Sequence, residues 1–277
     1  MGFRINTNVA SLQTQNSLNK VNRESQESFS KLSSGSRITK AADDAAGLGI
    51  SEKLKAEIRS TQQANRNAND GISMVQVAEG GLNETSNILV RMRELSIQSA
   101  SDTVGDSERG MANLEYQALK SEMDRISQVT EFNGKKLLNG DADTYEFQIG
   151  TTGVESDSRI GFAASELDSG LESLGVGSVE IGSKEGAQDS LSYLDTAIEK
   201  VSSQRAILGS LQNRLVSTSN NLQTSAENLS AANSRIRDVD YAEETAKQTR
   251  NQILSSAGTS VLAQANMSTQ SALKLIG

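Results

Sequence analysis

Apolar residues recur at a strict interval of seven along one stretch of the chain: Leu194, Val201, Leu208, Leu215, Leu222, Leu229 and Ile236. A second apolar or small position runs beside them, with gaps, at Leu191, Ile198, Leu211, Ala226 and Ala232, and polar residues fill the space between. A seven-residue period held over this many turns predicts a long helix in a coiled-coil-like seam. At a rise of 1.5 Å per residue such a helix runs for about 65 Å. It cannot bury its seam alone, so the rest of the chain must supply partner helices.

Residues 3–33 carry apolar positions at Ile5, Val9, Leu12, Leu18, Val21, Phe29 and Leu32, but many Asn, Ser and Gln interrupt the stripe. This is a weak helix that needs a partner, because short isolated helices are marginal in water. Leu32-Ser33-Ser34-Gly35-Ser36 is a break, and Asp43-Asp44 stands where acidic residues favour the start of a new helix. A helical pattern follows over 44–99, with Leu54, Ile58, Ile72, Val75, Ala78, Leu82, Leu89 and Met92 at 3/4/7 spacing. A third helix is predicted over 107–129, with Met111, Leu114, Ala118, Met123 and Ile126 as its seam. Asn133-Gly134 and Asn139-Gly140 are turn signals. Between 141 and 185 the period falls to two. Tyr145, Phe147 and Ile149 alternate with polar residues, as do Ile160 and Phe162, and Val179 and Ile181, which predicts short strands or hairpins. After 186 the long heptad helix begins. A last helix follows Arg237-Asp238-Val239-Asp240, with a seam of Leu254, Ala257, Val261, Ala265, Ser268, Ala272 and Leu275.

The order is weak helix, strong helix, short helix, small β insert, strong helix, weak helix. The simplest fold is mainly α: an elongated antiparallel helical bundle or coiled coil with a small β-hairpin insert. The chain runs out, turns in the β region and returns, so the N- and C-terminal helices pair.

Composition supports this pattern and removes several function classes. The 277 residues contain no Pro, against an average of about 5%, which suits long uninterrupted helices. Aromatic residues are 3% and hydrophobic residues 35%, enough for narrow seams between helices rather than a thick core. With no Cys and no His, disulfides, thiol chemistry and Ser/His/Asp or Cys/His catalysis are impossible, and no cofactor or catalytic site is expected. The net charge is −8, and residues 140–200 hold three Lys/Arg against thirteen Asp/Glu, which argues against nucleic acid as a partner. No apolar run is long enough for a membrane span. The start, Met1-Gly2-Phe3-Arg4-Ile5-Asn6, lacks the apolar segment of a cleavable signal peptide. The expected location is therefore the cytoplasm, or outside the cell by a route that reads no such signal.

Several segments resemble bacterial flagellin. They are Phe3-Arg4-Ile5-Asn6-Thr7-Asn8, Leu32-Ser33-Ser34-Gly35-Ser36-Arg37-Ile38, Ala41-Ala42-Asp43-Asp44-Ala45-Ala46-Gly47-Leu48 and the run 91–99 from Arg91 to Ser99. Glu131-Phe132-Asn133-Gly134-Lys135-Lys136-Leu137-Leu138, Ala232-Asn233-Ser234-Arg235-Ile236, Gln252-Ile253-Leu254 and the run 258–266 continue the likeness in the same order. The resemblance implies a structural subunit that polymerises into the filament of the bacterial flagellum for swimming. It implies 1–43 and 236–277 as the two halves of an inner coiled-coil domain, 44–140 and 186–235 as rod helices, and 141–185 as a small variable surface region. It also implies polymerisation through the terminal helices, at Ile5, Val9, Leu12, Leu18, Val21, Leu254, Ala257, Val261, Ala272 and Leu275. Implied partners are further copies of the chain, an export chaperone at the C-terminal helix, filament cap and hook-junction proteins, and Toll-like receptor 5 of a host. The implied location is the extracellular filament, reached through flagellar type III export. The rival readings are a hook–filament junction protein with flagellin-like ends and a soluble coiled-coil adaptor.

By the same resemblance Arg91, Leu95 and Glu115 match positions read by the host receptor. Arg91 and Leu95 are four apart, on one helix face. The plainer reading is that this face makes subunit contacts within the filament. Asp43-Asp44 and the cluster Asp141, Asp143 and Glu146 lack the ligand spacing and Gly of an EF-hand loop, so a helix cap and a solvated turn are the expected roles. Asn83-Glu84-Thr85, Asn228-Leu229-Ser230 and Asn266-Met267-Ser268 fit the N-glycosylation pattern but fall in predicted helices.

Overall fold

The computed structural model describes residues 7–140, 144–153 and 158–274, with the backbone alone over 269–274. Five helices are described: α1 (Val9–Ser34), α2 (Ala45–Ser99), α3 (Asp106–Val129), α4 (Lys184–Arg237) and α5 (Tyr241–Lys274). Four short strands lie between α3 and α4: β1 (Glu131–Phe132), β2 (Lys135–Lys136), β3 (Thr144–Gln148) and β4 (Arg159–Ala163). The chain divides into two compact units, one of residues 1–58 and 228–277, the other of 59–227. No helix among the described residues is long and apolar enough to cross a membrane.

Within the 59–227 unit, α2 and α4 run antiparallel. The Asn65 side-chain amide donates to the Ser219 carbonyl at 2.9 Å, and Arg93 pairs with Asp195 at 2.7 Å. Leu82, Leu89 and Met92 of α2 and Leu194, Leu208 and Leu215 of α4 are fully buried between them. The heptad stripe is not buried along its whole length. Phe147 and Leu215 both close on Gly71, where an added Cβ would lie 3.1 Å from the Phe147 ring and 3.3 Å from Leu215. Past that level Leu222, Leu229 and Ile236 are only half-buried, as expected where two helices pair without a third element over the seam.

The predicted seam of α3 holds at Met123, which is fully buried, and is out of phase over the first half of the helix. Met111, Leu114 and Ala118 face outward, and the buried face is Arg109, Tyr116, Lys120, Met123 and Ser127. Two cations occupy inward positions, where their apolar stems pack and their heads reach carbonyls. Arg109 donates to the Ser99 and Ser101 carbonyls, each at 2.9 Å, and pairs with Asp106. Lys120 donates to the Val179 carbonyl at 3.3 Å.

Tyr116 is fully buried and its hydroxyl has no partner among the described residues. Burial pushes its pKa up from 10.0 to about 12. The folded chain thus holds this proton longer than the unfolded chain. The resulting stabilisation is present below the unfolded pKa and is lost as pH rises from 10 towards 12. Tyr116→Phe removes the unsatisfied hydroxyl and this alkaline loss together. Thermal denaturation across the alkaline range is expected to show equal or higher stability at neutral pH, by about 1 kcal/mol, and a shallower fall above pH 10.

β1 and β2 form a two-residue hairpin around Asn133 (φ 52°) and Gly134 (φ 76°). Both positive φ values match the primed turn that suits strand twist. β3 and β4 pair antiparallel, with Tyr145 opposite Phe162 and Phe147 opposite Ile160. The pair expected as strand at Val179 and Ile181 is irregular backbone instead. Both side chains are buried, but among the described residues no strand pairs with that backbone. Lys120 takes the Val179 carbonyl, and the Asn113 side-chain oxygen accepts from the Ile181 N–H at 3.2 Å.

In the other unit, α1 ends at Gly35 (φ 69°) in a left-handed cap. The Arg37 N–H donates to the Arg237 carbonyl at 2.6 Å, and the Val239 N–H to the Gly35 carbonyl at 3.1 Å. Tyr241 donates its hydroxyl proton to the Leu32 carbonyl at 3.0 Å. These bonds tie the segment after α1 to the segment before α5.

Candidate functional site

The paired terminal helices come first. α1 and α5 run antiparallel, with Asn8 near Ala265, Leu18 near Gly258, Ser25 near Gln248 and Leu32 near Tyr241. Asn8 works twice: its side-chain oxygen accepts from the Ser11 N–H at the start of α1, and its amide donates to the Ala265 carbonyl, both at 3.0 Å. Gly258 sets the helix spacing, since an added Cβ would lie 2.8 Å from a Leu18 methyl. Leu18 and Val21 line one side of the groove between the helices, and Leu254, Ala257 and Val261 line the other. Val9 and Leu12 lie outside that groove and are exposed. Ile5 and Leu275 fall outside the described residues, as does the side chain of Ala272. Ile38 is the only buried apolar side chain described in this unit.

The second site is the outer face of α2 and α3. The Arg91 guanidinium bonds Glu94 on its own helix at 2.9 Å and Glu115 on α3 at 2.8 Å. Glu94 and then Glu115 raise its already high pKa. Arg91 and Glu115 are thus brought together on the surface. Leu95 is not presented with them: it is 2% exposed and packs in the core. The four-residue spacing is correct, but α2 is covered on several sides, and position 95 turns inward where 91 does not.

The acidic pair at the start of α2 has split roles. Asp44 accepts from the Gly47 N–H at 2.8 Å and caps the helix. Asp43 instead accepts from the Thr39 and Lys40 N–H groups and the Thr39 hydroxyl, each at 2.9 Å. The Lys40 and Thr39 bonds hold its pKa below the usual carboxylate value. Asp141 and Asp143 lie outside the described residues; Glu146 pairs with Arg159 at 2.9 Å. All three N-glycosylation patterns sit in helices, and Thr85 is fully buried.

Sequence reasoning missed the glycines that set helix approach. At Gly81 an added Cβ would meet Leu138 at 2.7 Å and Thr130 at 2.8 Å. A Gly within a helical pattern, here the Gly80-Gly81 pair, is the available signal, since it costs about 1 kcal/mol relative to Ala and calls for a packing reason.

The bacterial flagellin N-terminal helical region matches residues 5–143, and the bacterial flagellin C-terminal helical region matches residues 191–276. The chain is 43% identical to the flagellin of Bacillus subtilis strain 168, covering 99% of this chain and 100% of that protein. It is 41% identical to the flagellin of Halalkalibacterium halodurans, covering 98% and 99%. The crystal structure of Bacillus cereus flagellin is similar at a TM-score of 0.51 and 33% identity, covering 61% of this chain and 94% of that one. Identity along the whole length favours a filament subunit over a hook–filament junction protein. The chain belongs to the bacterial flagellins, structural proteins and not enzymes, which assemble into the extracellular flagellar filament.

Proposed function

We propose that this filament subunit polymerises through its ends. In this reading 1–43 and 236–277 form an inner coiled-coil domain, 44–140 and 186–235 form the rod, and 141–185 faces solvent. Val9, Leu12, Leu18, Val21, Leu254, Ala257 and Val261, with Ile5, Ala272 and Leu275, make the polymer contacts. The observation that carries the reading is how little the α1–α5 pair buries: Val9, Leu12, Leu254 and Val261 stay exposed. A pair so thin cannot offset its own ordering entropy. It stays disordered in the monomer and folds when neighbouring copies cover it, which prevents premature polymerisation. Long filaments in electron micrographs of the purified chain support the reading; short or absent polymers under the same conditions refute it.

The same exposed C-terminal helix needs shielding before assembly, which suits an export chaperone in the cytoplasm. Passage through type III export, followed by contact with the filament cap and hook-junction proteins, completes the route. On the outer face Arg91 and Glu115 form the contact read by Toll-like receptor 5, with Leu95 supporting the α2 backbone from beneath. Arg91→Ala is expected to leave the unfolding temperature unchanged, since the pair is half exposed and screened. It is expected to reduce receptor signalling by isolated monomer; unchanged signalling refutes the assignment.

A further inference from the structure

The residues that α1 and α5 turn toward each other are mostly polar. Along α1 the half-buried and buried positions step by three and four through Ser11, Thr14, Leu18, Val21, Ser25 and Ser28. Along α5 the same steps run through Glu244, Gln248, Asn251, Ser255, Gly258 and Leu262. This is the heptad spacing of a coiled-coil seam. Its most buried members, however, are Ser28, Glu244 and Asn251, at 5%, 7% and 8% exposed. Phe29, Ile253, Leu254 and Val261 stand off these positions and are between 47% and 67% exposed. The seam has coiled-coil spacing without coiled-coil chemistry.

Polar contacts mark the register of the pair. Ser25 meets Gln248 at 3.3 Å, and Tyr241 bonds the Leu32 carbonyl at 3.0 Å, so Ser28 and Glu244 fall between these two levels. The ion partner of Glu244, Lys247, stands at 3.6 Å and bonds Glu243 more closely, at 2.8 Å. A polar residue at a seam position specifies register at a cost in stability, because it leaves water without contributing apolar area. We infer that this polar seam is what makes folding of the ends conditional on assembly. It fixes how α1 and α5 align, yet holds them too weakly to stay paired until neighbouring copies cover the outward apolar residues. This rests on the reading that the ends are disordered in the monomer. Apolar residues at the same positions would bury their area within the pair alone, and the ends would then fold without neighbours.

A Ser25→Val, Gln248→Leu, Asn251→Leu variant makes three seam positions apolar. In dilute monomer, trypsin cleavage after Lys20, which none of these substitutions adjoins, is expected to slow by on the order of tenfold or more relative to the unsubstituted chain, because cleavage follows the population of the open form. Filaments of the variant at dilutions where the unsubstituted chain stays monomeric support the inference in the same way. Cleavage as fast as in the unsubstituted chain overturns it. So does equal slowing by Gln15→Val, Gln252→Leu, Gln264→Leu, which adds the same apolar residues at exposed positions of the same helices. If the triple variant precipitates, Asn251→Leu alone decides: slower cleavage supports the inference, and an unchanged rate overturns it. The two failures are distinguishable. If the unsubstituted monomer is cut rapidly after Lys20 and the variant no more slowly, only the inference falls. If the unsubstituted monomer already resists cleavage as well as the filament does, the reading of disordered ends falls and takes the inference with it.

Discussion

Removal of residues 1–35 is expected to leave a folded monomer that no longer polymerises. The deletion takes away α1 and with it the partner of α5, together with the Asn8 bond to Ala265 and the Leu18 contact at Gly258. The core of the 59–227 unit contains none of these residues. Its cooperative unfolding transition should therefore persist, while sedimentation shows only monomer under conditions where the full chain forms filaments. A coiled-coil adaptor held together by its heptad helix would keep its assembly state after the same deletion. This variant thus separates the two mechanisms as well as testing the terminal helices.

Leu208→Ala is expected to have the opposite profile, with lower stability and an intact assembly mechanism. Leu208 is fully buried midway along the heptad seam. Truncation removes its transfer free energy and leaves a cavity between helices, for a loss of about 2–5 kcal/mol. In a unit of this size that lowers the unfolding temperature by on the order of 10 °C. Leu222→Ala, on the same heptad stripe but half-buried, should lose clearly less. Thermal denaturation of both variants checks the ranking. Equal losses would mean that the seam is buried uniformly, contrary to the packing around Gly71 and Phe147.

The helices were legible because their signals are local and redundant. The seven-residue period fixed α4, the Leu32–Ser36 break and the Asp44 cap separated α1 from α2, and Asn133-Gly134 marked the first hairpin. Signals that depend on what lies across the interface were not legible. The heads of Arg109 and Lys120 bond carbonyls that only the fold brings near. Apolar spacing alone therefore places the first half of the α3 seam on Met111 and Leu114, which the structure leaves exposed. Val179 and Ile181 alternate like a strand, but a strand needs a neighbour, and here side chains serve the backbone instead. At the candidate receptor face the same limit appears: helical spacing groups Arg91 with Leu95, but only the surrounding helices decide that Leu95 is core.

Hydrogen exchange measured on monomer and on filament tests the central claim most directly. If the ends fold on assembly, amides of 9–34 and 241–274 exchange rapidly in the monomer and become protected in the filament, while amides around Leu82–Leu95 and Leu194–Leu215 are protected in both. Equal protection of the terminal helices in monomer and filament would contradict the account.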